Sequence, residues 1–134
     1  MSSFRVLVVE DFEPFRQFIS ATLQEKPELR LVGEASDGLQ AVRKADELRP
    51  DLILLDIGLP SLNGIEAARQ IRKLVPESKI LFVSQEPSAA IIEECLSLGA
   101  SGYLLKLDAG SELLAAVGAV LCDKPFVSRS LSAR

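Results

Sequence analysis

Three short segments of this chain leave little choice of fold. FRVLVV (Phe4–Val9), LILL (Leu52–Leu55) and KILFVS (Lys79–Ser84) are apolar at almost every position. Successive side chains of a strand point to opposite faces, so a strand with one face in water alternates apolar and polar residues. These segments do not alternate. Both faces must therefore be covered, as they are for strands inside a parallel sheet.

The stretches between them carry helical spacing. After Pro14, which suits the first turn of a helix, Phe15, Phe18, Ile19, Thr22 and Leu23 fall on one face. LRLVGEA (Leu29–Ala35) reads as a second strand, less uniformly apolar and so expected at an edge. Asp37 opens a helix expected to turn Leu39, Val42 and Ala45 inward, and Pro50 closes that pattern. Gly64 to Leu74 reads as a helix. Another is expected from Pro87, carrying Ile91, Ile92, Cys95 and Leu96 and stopped by Gly99. SGYLLK supplies a fifth strand, and Ser111 is expected to cap a last helix with Leu113, Val117, Val120 and Leu121 inward.

Five β–α units predict an α/β fold: a doubly wound, five-stranded parallel sheet of flavodoxin-like type. Right-handed crossovers leave few topologies, and strand order 2-1-3-4-5 is the expected one, carried in part by the family resemblance given below. It puts a switch point between the carboxyl ends of the first and third strands. After Cys122 the residues DKPFVSRSLSAR are polar and aperiodic. The expected organisation is one domain over residues 1–122, followed by a tail or linker over 123–134.

Composition removes several functions. Net charge is −4, which disfavours direct nucleic-acid binding. There is no histidine, so imidazole-based triads and zinc sites are out. Cys95 and Cys122 are expected as reduced, core or partly buried thiols. No apolar run has the length of a membrane span and the first residues lack a secretory signal pattern, so a cytoplasmic location without membrane contact is expected.

The chemistry collects at the switch point. The first strand ends in Glu10 and Asp11, and the third in Asp56. At about 4 Å and an effective dielectric near 20, each like-charged pair costs roughly 4 kcal/mol. A divalent cation with oxygen ligands would relieve that repulsion, and Mg²⁺ accepts a few carboxylates while keeping its waters. The fourth strand ends in the hydroxyl of Ser84 and the fifth in the ammonium of Lys106. Acids, a metal, a hydroxyl and an ammonium can together hold a phosphoryl group on one acid, and central Asp56 is the expected nucleophile.

VLVVED, PDLILLDIGLPSLNGIEAARQIR, ILFVS and GASGYLLK occur in that order over about residues 4–122. The chain thereby resembles the receiver domain of a bacterial two-component response regulator. The resemblance implies that Asp56 is the phosphoacceptor, served by a partner histidine kinase. It implies Mg²⁺ or Mn²⁺ held by Glu10, Asp11, Asp56 and the backbone carbonyl of Gly58. It makes Ser84 the switch hydroxyl, Lys106 the phosphate-binding lysine, and Tyr103 the aromatic that turns inward as Ser84 moves. Pro60 and Gly64 would shape the loop over the metal.

Leu107 follows Lys106 where many receivers have a cis proline, so a trans peptide is expected there. That departure is similar to receivers of the LuxR/NarL transcription-factor subgroup. Regulators of that subgroup continue into a helix-turn-helix output domain; such a domain beyond this chain and a stand-alone receiver are both open readings, and so is a homodimer. Glu86, two residues past Ser84, stands where a side chain can affect attack by water, or is a plain solvated charge. A flavin module would need a hydroxyl- and glycine-rich loop where EDFEPF presents acids. A phosphohydrolase often has a second acid where Gly58 stands. A pseudo-receiver that never meets phosphate would not need these acids, hydroxyl and lysine together.

Overall fold

A computed structural model describes residues 3–132. Strand β1 (Phe4–Val9) leads to α1 (Glu13–Leu23), β2 (Leu29–Ala35) to α2 (Gly38–Leu48), and β3 (Leu52–Leu55) to α3 (Gly64–Leu74). Then come β4 (Lys79–Ser84), α4 (Ala89–Ser97), β5 (Gly102–Leu105), a single 3-10 turn (Lys106–Asp108) and α5 (Ala109–Leu121). Two further elements follow, β6 (Phe126–Val127) and α6 (Arg129–Ser132). The sheet is parallel, in the order β2-β1-β3-β4-β5-β6.

The alternation of side chains explains why the central strands are apolar throughout. Leu7, Val9, Ile53, Leu55, Phe82 and Tyr103 face α2, α3 and α4, where they meet Ala41, Ala45, Ala68, Ile71 and Cys95. Val6, Val8, Leu52, Leu54, Leu81 and Val83 face the other way, onto Ile19 and Leu23 of α1 and Leu113, Val117 and Val120 of α5. Full burial of each large apolar side chain contributes about 1.5–3 kcal/mol before chain entropy is counted. No helix among the described residues is long and apolar enough to cross a membrane.

Register fixes the site. Val9 is paired with Leu55, so the next residues, Glu10 and Asp56, emerge side by side. Ser84 is paired with Leu105, so Lys106 emerges one residue beyond the end of β4. The helix stops and starts follow local chemistry: Asp37 accepts from the Gln40 amide at α2, and Gly99 takes φ 107 just past α4.

Several expectations need correction. The sheet has six strands, not five, because the segment expected as a tail adds β6 to β5. Helix α4 begins at Ala89, capped by the Ser88 hydroxyl, with Pro87 outside it. Helix α5 begins at Ala109, so Ser111 lies in its first turn and its hydroxyl bonds the Asp108 carbonyl instead of capping. Leu39 is 57% exposed, because it lies about 200° around the helix from Ala41, the residue that faces the sheet. Phe18 and Leu96 sit at the edges of their apolar stripes and stay partly in water. Cys122 is exposed at the end of α5, whereas Cys95 is buried and its thiol pushed up to about 12 by desolvation. There is no cis peptide bond among the described residues, so the Lys106–Leu107 bond is trans as expected.

Candidate functional site

Glu10, Asp56, Ser84 and Lys106 line one crevice of about 620 Å³ at the carboxyl end of the sheet, together with Asp11 and Gly58. All six residues singled out for the acidic site in the sequence are therefore brought together. Lys106 Nζ lies 2.8 Å from Glu10 Oε1 and 3.2 Å from Asp56 Oδ2, so one ammonium serves two acids. On another side the amine stands 4.9 Å from the centre of the Phe15 ring, at cation–π distance. Burial alone would push the Lys106 amine down, but Glu10 and Asp56 outweigh it and hold the amine above its ordinary value. Lys106 is protonated wherever the protein is folded near neutrality.

Glu10 is almost completely buried. Desolvation pushes its carboxyl up, against the pull of Lys106 and of the Phe12 amide, which donates to Oε2 at 3.0 Å. Its other oxygen, Oε1, is buried with the Lys106 ammonium 2.8 Å away as its charge partner. Asp56 Oδ1 accepts from the Ile57 amide at 2.8 Å, and its own amide donates to the Val9 carbonyl at 3.1 Å. The acid is thus fixed by the backbone of β1 and by the amide of its own chain neighbour.

Carboxylate oxygens of Glu10, Asp11 and Asp56 lie within 4.8 Å of one another. Two of these acids are buried and Asp11 is exposed. Three hard oxygen donors, two of them on buried acids, fit a hard divalent cation that completes its shell with water. Lys106 neutralises one of the three charges and leaves the rest for such an ion.

The loop after β3 is built around close backbone approach. A Cβ on Gly64 would stand 1.9 Å from the Asp56 carbonyl oxygen, so only glycine lets the start of α3 rest on the acid's own peptide. Gly64 also donates its amide to the Ile57 carbonyl at 2.7 Å. Gly58 faces open space, which leaves the crevice accessible beside Asp56. Asn63 caps α3 by accepting from the Ile65 and Glu66 amides.

The Ser84 hydroxyl accepts from the Glu86 amide at 3.1 Å. Tyr103, expected to turn inward as part of a switch, lies inward here, its ring wholly buried. Its hydroxyl donates to the Glu86 carbonyl at 2.7 Å. Glu86 is half-buried and its carboxylate accepts from the Ser88 amide at 3.1 Å, so it is not a free solvated charge. Sequence reasoning missed three supports of the site. Phe15, on the core face of α1, also sets its ring beside Lys106. Arg16 ties α1 to the end of β1 by donating to the Glu10 carbonyl at 2.8 Å. Ser128 bonds the backbone one residue before Lys106. The buried-serine signal is invisible without β6, because a lone Ser among polar residues carries no pattern.

Comparison with known proteins agrees with this architecture. The response regulator receiver domain family matches residues 6–118. The chain is 33% identical over 130 residues to the transcriptional regulatory protein LiaR of Bacillus subtilis, covering 97% of this chain and 62% of LiaR. It is 44% identical over 104 residues to a protein-glutamate methylesterase/protein-glutamine glutaminase of Thermotoga maritima, covering 76% of this chain and 30% of that enzyme. It therefore spans less than two thirds of these curated relatives. Among solved structures, a LuxR-family two-component response regulator from Aurantimonas superposes with a TM-score of 0.93 at 30% identity, over 98% of this chain and 94% of that one. The response regulator domain of Thermotoga maritima CheB gives 0.83 at 37% identity, over 90% and 97%. With the acids, hydroxyl and lysine gathered at the sheet's switch point, this chain belongs to the response regulator receiver domain family, and its relatives include response regulators of the LuxR/NarL type.

Proposed function

We propose that Asp56 accepts a phosphoryl group, from the phosphohistidine of a partner kinase or from a small acyl phosphate, and that the charge so created alters the surface read by an output domain. The observation that carries this reading is the single ammonium of Lys106 set between Glu10 and Asp56, at 2.8 and 3.2 Å, in a crevice open beside Gly58. An Asp56 carboxylate oxygen attacks phosphorus, the bond from phosphorus to the donor breaks, and its electron pair leaves with the donor group. Lys106 stays protonated and meets the charge on the transferred oxygens. Ser84 can turn its hydroxyl from the Glu86 amide to donate to one of them.

Glu10, Asp11, Asp56 and the Gly58 carbonyl would hold the divalent ion, Mg²⁺ or Mn²⁺. When bound, that ion neutralises charge on the phosphoryl oxygens and orients them. Tyr103 would serve as the switch aromatic with Ser84; it lies inward here, where its hydroxyl holds the Glu86 carbonyl and the loop after β4. The regulatory role is that of the receiver family; the enzymatic activity in the methylesterase's printed name belongs to that protein. A kinase as donor, a helix-turn-helix domain as output, and dimerisation are proposals that rest on the same relatives.

The test is intact-mass measurement after treatment with acetyl phosphate and Mg²⁺. One phosphoryl group should be added, and none without the metal. An equal addition in Asp56→Asn would remove Asp56 from this role.

A further inference from the structure

The segment after α5 grips the backbone on both sides of Lys106. Phe126 and Val127 pair with Gly102 and Tyr103 in parallel. The Ser128 amide donates to the Tyr103 carbonyl at 3.0 Å, continuing that ladder. The ladder then changes partner: the Leu105 amide donates at 2.7 Å to the Ser128 hydroxyl, a side chain standing in for the next strand carbonyl. Ser128 is completely buried. Beyond it, the Arg129 amide donates to Glu112 Oε1 at 3.1 Å, and the Ser130 hydroxyl donates to Asp108 Oδ2 at 2.5 Å. One short segment thus holds the end of β5, the turn that begins at Lys106, and the first turn of α5.

Leu105 is the residue immediately before Lys106. A buried amide does not persist without an acceptor, so loss of the Ser128 hydroxyl must shift the backbone at Leu105 or admit water under β6. Either change moves the point from which the lysine reaches Glu10 and Asp56. We propose, resting on the reading of Asp56 as acceptor, that Ser128 is a positioning residue for Lys106, and that occupation of the acidic crevice and docking of residues 126–131 on β5 stabilise one another. An anion fixed on Asp56 gives Lys106 an additional partner. That holds the end of β5 in the place where Leu105 meets Ser128, and linkage requires the effect to be reciprocal. Charge at Asp56 is so transmitted along the polypeptide itself, through a serine the receiver motifs do not include.

Amide hydrogen exchange on the full chain, with and without Mg²⁺ plus beryllofluoride, tests this. Protection of Leu105 and of residues 126–131 should rise by about 5-fold or more, the lower range of coupling between linked sites. Unchanged or lowered protection there, while the amides of Glu10 and Ile57 show that the mimic is bound, overturns the coupling and leaves Asp56 as acceptor. No binding of the mimic to the unaltered chain removes the acceptor reading itself, and the coupling with it. Ser128→Ala should weaken beryllofluoride binding by the same factor and Ser128→Thr should recover part of it. Ser111→Ala, whose hydroxyl bonds only the exposed Asp108 carbonyl, should leave it unchanged. Equal affinity in Ser128→Ala and the parent refutes the positioning role. If Ser128→Ala does not fold, the exchange measurement on the unaltered chain decides alone.

Discussion

Raising the pH should leave Tyr103 un-ionised well beyond the point where a free tyrosine loses its proton. The ring has no exposed surface and its hydroxyl donates to the Glu86 carbonyl at 2.7 Å. Burial pushes the phenol from its ordinary value of 10.0 up to about 12, with a bond to the Ser84 hydroxyl pulling the other way. That rise corresponds to about 3 kcal/mol of preference for the neutral phenol in the folded protein. Because the folded value is the raised one, this contribution is whole below pH 10 and is lost as pH rises from about 10 through about 12. The assay is unusually clean, since Tyr103 is the one tyrosine of the chain and there is no tryptophan. Tyrosinate absorbance followed against pH, alongside far-ultraviolet circular dichroism, should show no ionisation near 10 while the fold persists. If the chain unfolds first, ionisation and loss of dichroism should coincide, above 10. A midpoint near 10 in a folded chain would place the ring in water and refute the inward packing.

Lys106→Met leaves Glu10 and Asp56 buried without their cation, and should cost about 3 kcal/mol in urea unfolding, most of it recovered by millimolar-range Mg²⁺; a variant as stable as the parent would mean the ion pair is not formed in solution. Gly64→Ala puts a methyl 1.9 Å from the Asp56 carbonyl oxygen and should destabilise by about 4 kcal/mol or more, or shift the α3 start enough to abolish acetyl phosphate labelling; thermal melts within a degree of the parent would contradict that contact. Glu10→Gln probes the raised carboxyl of Glu10, whose protonated form is favoured on folding. The parent's stability relative to this variant should be highest below pH 4.5 and fall as pH rises through the raised value; a difference that grows with pH in the absence of metal would reverse the assignment.

The sequence by itself determined the layered fold and the membership of the acidic site. Short unbroken apolar runs bounded by turn residues, such as Leu52–Leu55, read as strands covered on both faces, and the helical stripes between them supply the covers. The acids, hydroxyl and lysine were legible because each stands directly at the end of such a run, where a parallel sheet collects its carboxyl ends. Tertiary structure decided what periodicity cannot carry. Two residues, Phe126 and Val127, are too short to show a strand period, and become β6 only because β5 offers an unpaired edge. Ser128 is functional-looking only once it is buried against Leu105. Register, not composition, set one ammonium between Glu10 and Asp56, and packing, not sequence spacing, put the Phe15 ring beside it and turned Tyr103 inward. Local pattern fixes which side chains must leave water; which polar groups then meet is settled by contacts between residues far apart in the chain.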